Sequence, residues 1–176
     1  MIPADATGRP APAAAPAPDE RWNRVLAVAA VLVVVAYAVL ATRWVSADPG
    51  WYDALTKPSW QPPDWVFGVA WPYNFLALGV AGAVLGLRTP RGTAGLWLAV
   101  LVANAAFALG WAYLFYVPHA LTAAAVSLTV GAVLAWVLAF LAWRALPWTG
   151  VALLPYALWL TVATSLAFGF AAQRTG

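Results

Sequence analysis

Charged residues fall at intervals along this chain, and the stretches between them carry no Lys, Arg, Asp or Glu. Val25 to Thr42 is one such stretch, and Trp65 to Leu87, held between Asp64 and Arg88, is the next. Between Arg91 and Arg144 lies an uncharged run of 52 residues. That is more than twice the roughly 20 residues an α-helix needs to cross ~30 Å of hydrocarbon. Pro118 and His119 divide it near its middle, and a last run, Ala145 to Gln173, is marked at its start by Pro147 and closed by Arg174. All are apolar on every face, whereas membrane strands would alternate polar and apolar positions. The pattern predicts an all-α integral membrane protein, a five-transmembrane-helix bundle with spans at about 25–45, 65–87, 92–117, 120–143 and 147–172, in a single domain from 21 to 176.

Composition agrees with lipid as the solvent: 64% of residues are hydrophobic and 9% charged, where a soluble domain carries about a quarter of its residues charged. Residues 1–20, with five prolines and seven alanines, have too little bulky apolar surface to offset ordering entropy and are expected to be a disordered tail. Arg21 and Arg24 come late for a signal peptide, and no small-residue cleavage site follows a short apolar core, so the first helix is expected to remain. Five spans put the termini on opposite sides. The N-terminal side holds Arg9, Arg21, Arg24, Arg88, Arg91 and Arg144, the other Arg43, Lys57 and Arg174, which predicts a cytoplasmic N-terminus. These charges form no run of the kind that binds nucleic acid. The chain has no cysteine, hence no disulfide or thiol chemistry.

All six acidic residues precede the second span and none lies inside one. Ion-coupled transporters and proton pumps place ionisable groups within the bilayer, and that signature is missing. The single histidine, His119, sits in the turn between the third and fourth spans without a neighbouring acid or a G-x-S-x-G turn, which argues against conventional acid–base catalysis. It shares a membrane face with Trp51 and is weighed as an axial haem ligand, but one histidine gives no ligand pair. No metal site and no resident cofactor are expected.

Twelve tryptophans remain to be sorted. Trp22, Trp44, Trp143 and Trp148 fall at span ends, where aromatic belts form. Trp71, Trp111, Trp136 and Trp159 fall inside spans, where an indole N–H needs a partner in the protein or in a ligand. Trp71, Asn74 and Leu78 share one helix face, as do Tyr156, Trp159 and Ala163. Asn74 and Asn104 should face the bundle interior, each in an interhelical hydrogen bond or on a ligand. Gly79, Gly82 and Gly86 form a stripe that permits close helix approach and a homodimer. Between the first two spans, Pro58, Pro62 and Pro63 stiffen a segment rich in aromatics, Trp51, Tyr52, Trp60 and Trp65. Such a lid, ordered in advance, would close over a flat apolar molecule. Lys57 would meet a ligand carboxylate there or snorkel to headgroups.

WYDALTKPSWQPPDW followed by VFGVAW, then WAYLFY and LLPYALW, resemble the TspO/MBR family, the tryptophan-rich sensory proteins related to the mitochondrial translocator protein, over about Trp22 to Arg174. The resemblance implies binding of porphyrins, haem and protoporphyrin among them, or of other flat hydrophobic ligands in a pocket under the first loop. A sensory role goes with it, with light- or oxygen-dependent porphyrin breakdown or transport of porphyrin- or sterol-like ligands as alternatives. Trp71 and Trp159 correspond to family pocket tryptophans and would be the reacting aromatics if porphyrin is degraded. Tyr52 corresponds to the loop tyrosine, Trp111 to the third-helix tryptophan, and Asn104 to a common glutamine. With these, Trp51, Lys57 and Tyr156 complete the expected ligand-binding set. Val69, Pro72, Ala108 and Ala167 depart from the family pattern, the last two replacing asparagines.

Overall fold

The computed structural model describes residues 18–45 and 49–174. Five long helices and one short one account for nearly all of them: α1 (Pro18–Val45), α2 (Pro49–Asp53), α3 (Asp64–Arg88), α4 (Arg91–Tyr116), α5 (Leu121–Ala145) and α6 (Pro147–Arg174). Each long helix is long and apolar enough to span a bilayer, and there are no strands among the described residues. The protein is a multi-pass integral membrane protein. Charges mark the helix ends as the macrodipole favours: Asp64 opens α3 and Arg88 closes it, while Arg43 and Arg144 lie in the last turns of α1 and α5. Most of the expected tail lies outside the described residues. Pro18, Asp19 and Glu20, however, already belong to α1, where Glu20 pairs with Arg24 one turn on at 4.0 Å.

The helices close into a ring in the order α1, α3, α6, α5, α4, with the α3–α6 seam the most loosely packed. Inside it, Tyr37, Leu78, Trp97, Leu101, Leu128, Leu138, Leu153 and Leu160 form a core that is almost wholly excluded from the surroundings. Outside, Leu32, Leu76 and Phe140 are each more than 60% exposed. An apolar exterior is costly in water and natural in lipid.

The glycine stripe serves the chain itself. A Cβ on Gly82 would stand 2.7 Å from the Ala30 Cβ and 3.0 Å from the Trp97 ring, and one on Gly86 would stand 2.6 Å from the Ala27 backbone. Their small size lets α1 lie directly on α3, so the stripe is not the free face that a homodimer was expected to use. Of the three, only Gly79 has open space around it. Trp97, unassigned from sequence, is a core residue whose Nε1 donates to the Leu138 carbonyl at 3.1 Å. Trp22, Trp143 and Trp148 are exposed at helix ends, as belt residues should be, and Trp136 donates to Thr161 Oγ1 on the outer surface.

Between α1 and α3 the chain is not wholly extended, since Pro49–Asp53 forms a helical turn before the proline-rich stretch begins. That stretch packs down on α6, where Gly169 leaves room for it: a Cβ there would meet Pro58 at 2.8 Å and the Trp60 ring at 2.9 Å. Trp51 and Tyr52 rest on a second apolar cluster, Phe115, Tyr116, Leu166 and Phe170, at the same end of the bundle.

Candidate functional site

Beneath this cover lies a cavity of about 310 Å³, at the lower end of the ~300–1,000 Å³ typical of small-ligand sites. Three tryptophans from three helices line it: Trp71 on α3, Trp111 on α4 and Trp159 on α6. Trp159 stands edge-on to both Trp71, centroids 6.3 Å apart, and Phe67, at 5.0 Å. Phe115, Tyr116, Leu166 and Phe170 complete the wall toward the cover, and Tyr52 forms part of the roof. The only charged groups on the lining are Asp53 and Asp64 at the mouth. Burial pushes the Tyr52 phenol above its ordinary value, Gln61 opposes the rise, and Asp64 and Asp53 add to it. The phenol therefore stays neutral at physiological pH and can donate. The indole N–H groups of Trp111 and Trp159 make no hydrogen bond within the chain, and an unmet buried donor costs about 1–3 kcal/mol.

The expected site residues divide. Tyr52, Trp71, Trp111 and Trp159 come together on the cavity. Trp51 does not line it: its ring stacks on His119 at 3.9 Å and packs against Phe115, pinning α2 to the α4–α5 turn. His119 holds that turn with a left-handed φ of 55°, and the described residues contain no cluster able to hold a metal ion. Lys57 sits 5.4 Å above the Tyr52 ring, on the cover and not in the cavity. Asn104 and Tyr156 are fully buried and outside the lining. Tyr156 donates to Asn104 Oδ1 at 2.6 Å, and Asn104 Nδ2 donates to the Gly131 carbonyl at 2.8 Å, tying α4, α5 and α6 together. Their polar groups are bonded between helices, and neither is among the residues that line the cavity. Trp60 covers Gly169, and Trp65, 70% exposed, turns toward lipid, so neither offers its face to the cavity.

Tyr156→Phe should therefore lower stability by about 1 kcal/mol, read as an earlier midpoint in a denaturing-detergent titration. Ligand affinity should not change. Lost affinity at unchanged stability would return Tyr156 to the binding surface.

Phe67, Phe115, Tyr116, Leu166 and Phe170 were not foreseen. Phe67 lies one turn before Trp71, and Leu166 and Phe170 continue the stripe of Trp159 and Ala163, so helical spacing contained that signal. Of the four departures from the expected pattern only Ala167 lies on the cavity wall. Val69 is exposed on the outside of α3, Pro72 is exposed within that helix, and Ala108 is buried against Gly131.

A ring of five membrane helices, closed at one end by an aromatic cover with an apolar cavity directly beneath, defines the class: a multi-pass α-helical membrane protein. Residues 27–172 match the TspO/MBR family, and the chain belongs to it. It is 34% identical to Protein CrtK of Rhodobacter capsulatus over 148 residues, covering 81% of this chain and 90% of that one. It is also 34% identical to the tryptophan-rich sensory protein of Cereibacter sphaeroides over 121 residues, 67% of this chain and 73% of that one. With the human translocator protein it shares 30% identity over 120 residues, 66% and 70% of the two chains.

Proposed function

We propose that the chain binds a flat, largely hydrophobic ligand, of which porphyrins such as haem and protoporphyrin are the type, in the cavity beneath its cover, and that occupancy serves a sensory role. The observation that carries this is the convergence of Trp71, Trp111 and Trp159 on one apolar cavity, with two of the three indole N–H groups unmet. Flat π faces favour a flat ligand, and dry, unmet donors favour one with acceptor atoms inside an apolar frame. Relatives named as sensory and translocator proteins support a role in sensing or handling small molecules. Asp53 and Asp64 at the mouth would repel ligand carboxylates, leaving Lys57 on the cover as a cation to receive them.

Titration of the purified protein with protoporphyrin, in the dark and then in light, tests the proposal. Binding quenches tryptophan fluorescence in both conditions. Bleaching of the Soret band only in light would favour porphyrin breakdown, with Trp71 and Trp159 as the nearest aromatics. Absence of quenching overturns the proposal. Trp71→Phe and Trp159→Phe should each weaken binding by about 1–2 kcal/mol, roughly 5- to 30-fold, because each loses part of a stacking face and an N–H. Unchanged affinity in both folded variants would make these rings packing residues.

We also infer that the N-terminus is cytoplasmic and the cover faces the other side. The absence of cysteine makes the check clean. In intact cells a membrane-impermeant thiol reagent should label Ser59→Cys on the exposed cover, and Gly92→Cys, at the start of α4, only after permeabilisation. The opposite pattern inverts the topology.

A further inference from the structure

The loose α3–α6 seam opens on its lipid side into a groove of about 570 Å³. Val69, Tyr73 and Asn74 line it from α3, and Pro155, Leu158 and Val162 from α6. No charged residue lines it, and Trp159 lines both this groove and the central cavity, so one indole separates the two.

One group in the groove is unexplained. Asn74 is only 1% exposed, and its Nδ2 has no hydrogen-bond partner. The neighbouring Tyr73 hydroxyl already donates to the Ala152 carbonyl at 3.1 Å. Asn104, the other asparagine deep in the bundle, is bonded at both ends of its amide, whereas Asn23, whose Oδ1 is also unmet, lies in the first turns of α1.

Depth decides what can meet it. Asn74 lies ten residues beyond Asp64, the start of α3. At ~1.5 Å per residue that is about 15 Å, half of a ~30 Å hydrocarbon layer. Headgroup and ester oxygens of phospholipids sit at the interface, and the acyl chains that reach this depth carry no acceptor. An oxygen can arrive at Asn74 only inside a molecule that is otherwise apolar and dissolved in the bilayer.

We propose that the α3–α6 groove is a second, membrane-side binding site for a neutral lipid-soluble molecule carrying a carbonyl or similar uncharged acceptor oxygen, with Asn74 Nδ2 donating to that oxygen and Trp159 forming the inner wall. The site is separate from the cavity, whose charged mouth lies under the cover. Because Trp159 is common to both, an occupant of the groove fixes one face of the ring that the cavity ligand meets on the other.

Benzophenone is a suitable probe, a neutral apolar ketone that cross-links to nearby C–H bonds on irradiation. With the whole protein in nanodiscs of saturated phosphatidylcholine, cross-links should concentrate on the groove residues of α3 and α6. An excess of 2-undecanone should compete and undecane should not. Asn74→Leu should reduce groove labelling at least fivefold and Asn74→Gln should retain most of it, while Val69→Trp, which fills the groove, should abolish it. Equal competition by the alkane, or undiminished labelling of Asn74→Leu, overturns the proposal and makes the groove a seat for acyl chains. Even labelling of all lipid-facing helices overturns it as well, as mere dissolution of the probe. If Asn74→Leu does not fold, the ketone–alkane comparison on the unaltered protein and the Val69→Trp variant still decide. None of these arms depends on porphyrin binding in the cavity.

Discussion

Gly86→Leu is expected to prevent the folded bundle from accumulating. The atoms that a side chain at this position would strike are the Cα and N of Ala27, both 2.6 Å from an ideal Cβ. A flexible side chain can rotate away from an intruding methyl group, but a helix backbone cannot. α1 would have to leave α3, and α1 also packs on α4, its other neighbour in the ring. Ordinary overpacking costs about 1–3 kcal/mol, and displacement of a whole helix should exceed that. Gly79→Leu is the matched control, since nothing lies within 4 Å of its Cβ; its effect should stay within about 0.5 kcal/mol. The measurement is the yield of monodisperse protein together with the midpoint of denaturing-detergent unfolding for both variants. If Gly86→Leu behaved like Gly79→Leu, α1 would not be docked on α3 through this stripe.

That same stripe shows where sequence stops being legible. Three glycines one turn apart say that a helix is approached closely; they do not say by what, and another copy of the chain fits the spacing as well as α1 does. The spans themselves were readable because hydrocarbon thickness imposes a length and the cost of burying charge imposes the ends. Trp71 and Trp159 were readable as candidates because an indole N–H in a dry span needs a reason. Asn104 and Tyr156 met the same criterion and turned out to satisfy each other. Helical periodicity assigns residues to faces, but which faces meet depends on the order of helices around the ring, and that order is not local information. The cover was legible as a break in helix and not in its contacts: prolines announce that break, whereas the stacking of Trp51 on His119 joins positions far apart in the chain. Its first turn, Pro49–Asp53, was hidden by the prolines that follow it.

Gly169→Leu should convert that cover from a closed to a leaky one without unfolding the bundle. Gly169 lies on α6 directly beneath residues 58 to 60, and a Cβ there would sit 2.8 Å from Pro58 Cγ and 2.9 Å from Trp60 Cζ2. The Trp60 ring is 56% exposed and can swing outward, but Pro58 is buried and has no torsional freedom in its ring, so the segment must lift. α2 keeps its own anchors, since Tyr52 packs on Phe115 and Phe170 and Trp51 stacks on His119. The change should therefore be confined to the downstream half of the cover, with the helices and the aromatic cavity wall intact and the unfolding midpoint nearly unchanged. A ligand in the cavity is retained by whatever closes over it, while its entrance is at most widened. The dissociation rate should rise about tenfold with little change in association, since most affinity differences within one site reside in the off-rate. Stopped-flow fluorescence with protoporphyrin resolves both rates. An unchanged off-rate in a variant that binds and folds normally would reduce residues 54 to 63 to a connector, and the closure of the cavity would then rest on α2 alone.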